Sequence, residues 1–262
     1  MGRVTWAGPD SGVAVGDRVF CTISRIEGLA EGYGGHVLEA PVHRDQLYAV
    51  PADGPPPEAY SGLVLTQVGY NCGVRPTIAA GDPAVVIGDG MVGQWAAQTL
   101  QQRGARVLLL GRHPDRLQRL PLAAGDAVVN TRETDDLEAV KAWAPDGVQA
   151  IIDSVGSVAT LNRLFWTLRR DGHLVSAGFN GRDSLFDLQL LRFREATVHA
   201  PSGWSRQRLE ATLDWVHQGR LDTLGLVTHR FPADRAVEAW DAIRGQHDTT
   251  LGVLLDWREV TA

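Results

Sequence analysis

The sequence predicts an α/β fold, a doubly wound parallel sheet with a second, reduced β domain, and three observations lead there. Compact apolar runs alternate with helix-forming stretches between residues 84 and 177. The first run passes directly into glycines spaced G-x-G-x-x-G. Residues 1–60 differ from the rest, with short β-favouring runs broken by Gly and Pro.

Taken in order, Arg18–Cys21 and Gly35–Leu38 read as short strands, with a turn at Gly16-Asp17. Asp53-Gly54-Pro55-Pro56-Pro57 then ends regular structure, because consecutive prolines remove amide donors and hold the chain extended. The spacing predicts a helix over 61–75 and strands at 84–88, 106–110, 127–129, 149–153 and 173–177. Each strand is a short apolar run of the kind a parallel sheet buries on both faces. Helices are expected at 91–103, 134–144 and 158–169. A closing strand is expected at 251–256.

Composition narrows the function. The 262 residues are 44% hydrophobic, enough for a substantial core. A net charge of −6 argues against nucleic acid or an anionic membrane surface as partner. No apolar stretch approaches a membrane span and the N-terminus has no signal pattern, so a cytoplasmic location is expected. Cys21 and Cys72 are expected to be free thiols.

The stretch Ala84–Gly93 carries the most information. Gly88 permits a tight turn, Gly90 lets backbone approach a pyrophosphate, and Gly93 lets a helix pack closely on the strand. Met91 and Val92 open that helix, whose N-terminal amides and partial positive charge suit phosphate. The alternative is that the glycines serve only turn and packing.

The next strand bears on which dinucleotide binds. An NAD site places Asp or Glu about 20 residues beyond the glycines, to accept from the ribose 2′-hydroxyl. Here Gly111 holds that position, so nothing is expected to repel a 2′-phosphate, while Arg112 is placed to bind one. Arg116 and His113 could add charge, and NADP(H) is the expected cofactor. Against this, Arg112 and Arg116 could be a solvated helix face.

With these segments, Gly16–Phe20, Ile151–Gly156, Gly172–Gly178, Thr228–Pro232 and Ala236–Trp240, the chain resembles the medium-chain dehydrogenase/reductase superfamily over nearly its whole length. The opening segment resembles bacteriochlorophyllide dehydrogenases. The resemblance implies a Rossmann cofactor domain over 61–225. It also implies a GroES-like catalytic domain built from residues 1–60 and a returning segment, 226–262, with a small-molecule substrate bound between the two. Ser154 and Val155 would border the cofactor path, and Gly178 and Phe179 would approach the nicotinamide end. Phe193–Ala200 resembles the edge strand through which relatives pair their sheets, so a homodimer is expected.

Typical members carry a longer segment before Arg3–Phe20, with a zinc-binding cysteine and a Gly-His-Glu motif absent here. Catalytic zinc needs three protein ligands, and the spacing of Cys21, His36 and His43 fits no zinc pattern, so no metal is expected. Hydride transfer to or from C=O, C=C or C=N would then need protein groups to stabilise developing charge. Candidates are Tyr70 as proton donor, Asn71 as carbonyl orienter, and Tyr33 or His36 in the Gly-rich loop 31–36, with helix packing the alternative for Tyr70 and Asn71. A cofactor-binding protein without redox turnover, acting as sensor, partner subunit or non-redox catalyst, is the competing function.

Overall fold

The computed structural model describes residues 1–22, 36–181, 186–245 and 249–258. The chain begins with a three-stranded antiparallel sheet made of β1 (Gly2–Arg3), β2 (Arg18–Cys21) and β3 (Leu47–Ala49), in that order. The expected strand at 35–38 does not form: His36–Leu38 are bends and coil, and Gly35 lies outside the described residues. After the proline segment, α1 (Leu63–Val74) leads into β4 (Pro83–Ile87), α2 (Met91–Gln102), β5 (Arg106–Gly111), the short α3 (Pro114–Leu117), β6 (Ala127–Asn130), α4 (Asp136–Trp143), β7 (Val148–Asp153), α5 (Val158–Leu164) and β8 (Leu168–Ser176). Next come α6 (Leu188–Arg194), β9 (Thr197–His199), α7 (Arg206–His217), β10 (Val227–Pro232), α8 (Ala236–Arg244) and β11 (Gly252–Asp256).

Six strands form one parallel sheet in the order β6-β5-β4-β7-β8-β9. This is a doubly wound Rossmann-like fold whose strand order reverses between β4 and β7, the crevice where such sheets bind ligands. All five residues of β4 are buried, as expected for a strand covered by helices on both faces. One face packs Val86, Leu109 and Ile152 against Ala96, Ala97 and Leu100 of α2; the other packs Val85, Leu108 and Ile151 against Leu161, Leu164 and Phe165. Leu109→Ala, truncating a fully buried side chain on the α2 face, is expected to cost about 2–5 kcal/mol in denaturant unfolding, with the slope unchanged.

Helix α1 lies close against α2, and two glycines one turn apart allow it. A Cβ at Gly69 would stand 2.6 Å from Trp95 Cβ, and one at Gly73 would press on Thr99. A third apolar cluster joins the N-terminal sheet to α1 and α7 through Phe20, Tyr48, Tyr60, Leu63, Leu209 and Leu213.

Several expected boundaries shift. The helix expected over 158–169 stops at Leu164, followed by a 3-10 turn at Phe165–Thr167. Its supposed last residues belong to β8, where Leu168 pairs with Val148 and is buried. The polar Arg169-Arg170-Asp171 resembles a helix surface but forms a bent strand with Asp171 at φ 58°. The expected edge strand 193–200 shortens to β9, because Asp187 accepts from the Gln189 amide to start α6 and Glu195 ends it at φ 49°. His199 holds that strand to β8, its Nε2 3.1 Å from Nδ1 of His173. Strand β11 forms as expected, and its strand partner among the described residues is β10, in parallel. No helix among the described residues is long and apolar enough to cross a membrane.

Candidate cofactor site

The site begins where β4 runs out. Gly88 adopts φ 112°, a conformation that L side chains rarely adopt, and a Cβ there would meet Ser154 and, at 2.8 Å, Val155 Cγ2. The Gly88 amide donates to Leu110 O at 2.8 Å, while the Ser154 amide and hydroxyl both donate to Ile87 O. These bonds tie the ends of β5 and β7 to the turn.

Gly93 sets the approach of α2, since a Cβ there would overlap the Gly88 carbonyl oxygen. Gly90 is the opposite case: it precedes α2 with no side-chain cap, and nothing stands within 4 Å of where its Cβ would be. The first-turn amides of α2 have no partner within the helix and no side-chain cap. A phosphate group suits both the geometry and the positive end of the helix dipole.

At the end of β5 the structure corrects one expectation. Gly111 does not leave its position without negative charge, because the Asp89 carboxylate crosses from the glycine turn and fills the space a side chain at 111 would take. Asp89 is buried, and its Oδ2 accepts from the amides of Arg112 (2.7 Å) and His113 (2.8 Å). Its Oδ1 lies 2.9 Å from His113 Nδ1 and 4.0 Å from an Arg116 guanidinium nitrogen. Arg116 also donates to Thr250 O. His113 and Arg116 thus turn inward onto Asp89, whereas Arg112 is exposed. The signal for this arrangement was in the sequence: a carboxylate inside the glycine turn, and glycine at the strand end where a carboxylate is expected.

The far side of the crevice is organised by Asp153, which is completely buried. Its Oδ1 accepts from the amides of Val155 (2.9 Å) and Gly156 (3.0 Å), and its Oδ2 from Ser157 (2.8 Å). Its backbone oxygen accepts from Ala177 and Gly178, so the turns after β7 and β8 are locked together. A Cβ at Gly178 would strike the Gly156 backbone. Val155 is half exposed and Phe179 fully exposed at these strand ends.

The expected proton-handling residues do not converge. Tyr70 packs edge-on to Trp215 at 5.0 Å between centroids, and burial pushes its phenol above the usual range. Asn71 is buried and its Oδ1 accepts from Arg75 Nε. Tyr70 is thus engaged in packing against α7 and Asn71 in a bond at the end of its own helix. Burial also pushes the Cys72 thiol up to about 12, and both cysteines are free. His36 is exposed, with its ring edge-on to Trp240, and Tyr33 lies outside the described residues. His43 pairs with Asp45. Among the described residues no group of three or more His, Cys, Asp or Glu side chains is placed to hold a metal ion.

Residues 91–218 match the family model described as zinc-binding dehydrogenase. The chain is 28% identical to the 2-desacetyl-2-hydroxyethyl bacteriochlorophyllide A dehydrogenase of Rhodobacter capsulatus, covering 99% of this chain and 78% of that protein. Among solved structures it resembles a short chain alcohol dehydrogenase of E. coli CFT073 complexed with NADH, with TM-score 0.79 and 16% identity, over 98% of this chain and 82% of that one. It also resembles a zinc-binding dehydrogenase of Sinorhizobium meliloti bound to NADP, with TM-score 0.78 and 21% identity, over 97% and 81%. The family model and the relatives together support a place in the medium-chain dehydrogenase/reductase superfamily. The relatives are dehydrogenases, which supports a general oxidoreductase role.

Proposed function

We propose that the protein is an NADP(H)-dependent oxidoreductase that moves hydride to or from a C=O, C=C or C=N group of a small organic metabolite without zinc. The observation that carries this reading is the pairing of an open helix N-terminus at Gly90 with an exposed guanidinium at Arg112. The first-turn amides of α2 would hold the pyrophosphate, and Arg112 would hold the 2′-phosphate bidentately. The lone pairs of Asp89 are already engaged by two amides and His113, which leaves little capacity to accept from a ribose hydroxyl. The bound nicotinamide would supply the hydride, or take it up, at the strand ends near Val155, Gly178 and Phe179. His36, or Tyr33 in the adjoining loop, is proposed as the proton donor. A homodimer pairing through the β9 edge, where Val198 is exposed, completes the reading.

The test is to follow NADPH and NADH absorbance against aldehydes, ketones, enones and imines, alongside cofactor binding by calorimetry. Arg112→Ala is expected to weaken NADPH binding about 10- to 100-fold while changing NADH binding less than about threefold. Equal losses for both cofactors would remove the 2′-phosphate assignment. The engagement of Tyr70 with Trp215 and of Asn71 with Arg75 favours a second reading, a cofactor-binding protein without redox turnover. Tight NADPH binding with no oxidation by any substrate class would support that one.

A further inference from the structure

We propose that Asp89 is the positioning residue that sets cofactor discrimination: from within the glycine turn, it fixes the segment after β5 so that Arg112 presents its guanidinium to the 2′-phosphate. The proposal rests on the NADP(H) reading above and adds the device that enforces it.

The geometry makes the role specific. Gly111 is the last residue of β5, and any Cβ on it would collide with the Asp89 carboxylate. A side chain at 111 and the carboxylate at 89 are therefore mutually exclusive. With glycine at 111, Asp89 reaches across and receives two consecutive backbone amides, those of Arg112 and His113, on one oxygen. Two adjacent amides on a single acceptor fix the two peptide planes that flank the Arg112 Cα, and with them the direction in which the Arg112 side chain leaves the backbone. A carboxylate so close to a phosphate site would ordinarily repel the ligand. Here His113 Nδ1 and Arg116 face the other oxygen, and Asp89 has little exposed surface. A further bond carries this arrangement into α2, where Gln94 Nε2 donates to Arg116 O at 2.6 Å. The turn that cradles the pyrophosphate and the segment that reads the 2′-position are thus one hydrogen-bonded unit.

The experiment compares adenosine 2′,5′-bisphosphate with adenosine 5′-monophosphate by calorimetry, in the wild type, Asp89→Asn, Asp89→Ala and Gly111→Ala. The wild type is expected to prefer the bisphosphate by about tenfold or more, the range of one charge-assisted contact. Asp89→Ala is expected to bring that ratio to within about twofold of unity while the monophosphate affinity stays within about threefold of wild type. Gly111→Ala, which displaces the carboxylate without removing it, is expected to do the same, and it stands in if Asp89→Ala does not fold. Asp89→Asn retains an acceptor for the two amides and is expected to keep most of the preference. Equal weakening of both ligands would mean a purely structural role and overturn the proposal. A ratio that rises in Asp89→Ala and Asp89→Asn would mean that the carboxylate opposes phosphate, and would also overturn it. A wild-type ratio near one would overturn the NADP(H) reading and this inference with it, whereas a wild-type preference that survives in all three variants would overturn this inference alone.

Discussion

Replacing Gly93 with alanine is expected to reduce binding of either nicotinamide dinucleotide roughly 10- to 100-fold and to lower stability by about 1–3 kcal/mol. A single methyl has this effect because its only available position overlaps the Gly88 carbonyl oxygen, a backbone atom that no rotamer change can move aside. Relief requires α2 to slide away from β4, and that displaces the first-turn amides from the turn they complete. Cofactor titration by fluorescence, paired with thermal unfolding, separates the two consequences. An unchanged affinity in a folded Gly93→Ala protein would show that α2 does not form the phosphate cradle. Gly90→Ala provides the contrast: its Cβ meets open space in the free protein, so stability should be nearly unaffected and the loss should fall on binding alone.

Asp153→Ala should cost about 3–5 kcal/mol and lower the unfolding temperature by roughly 10 °C. The carboxylate is fully buried and accepts from three consecutive part-buried amides, so its removal takes the partner from all three at once. The damage should also spread to the neighbouring strand end, because the Asp153 backbone oxygen holds Ala177 and Gly178, and Gly178 packs on Gly156. Asp153→Asn keeps an acceptor for some of the amides and should recover about half the loss. Calorimetric unfolding of the two variants checks both values. A change below about 1 kcal/mol in Asp153→Ala would mean that water substitutes freely for the carboxylate and that the turn is held by other contacts.

The central sheet was legible because its strands are buried on both faces, and such strands appear as uninterrupted apolar runs. The glycine turn was legible for a related reason: a close approach between strand and helix tolerates only one residue type. Where elements carry exposed polar residues or are short, the pattern misled. Arg169–Asp171 belongs to a strand but has the composition of a helix surface, and α6 has seven residues, too few for an apolar period to stand out. The Asp89 contact escaped because residues 89 and 112 are distant in sequence and become neighbours only when β4 and β5 pair in register. Tyr70 and Asn71 sit on a helix packed between others, where Trp215 of α7 takes the Tyr70 ring and Arg75 takes the Asn71 oxygen, contacts that sequence spacing alone does not reveal.

The order of strands in the large sheet has a consequence for the protein's birth. Strand β4 is the centre of the sheet, yet its two partners are made at different times: Val85 meets Leu108 early, and Ile151 only about forty residues later, or roughly 2–9 s at ordinary rates of translation. Throughout that interval one edge of an entirely apolar strand has its backbone groups unanswered on the ribosome. A nascent chain in this condition is a ready client for a chaperone, and the interval exposes the stretch proposed to cradle phosphate.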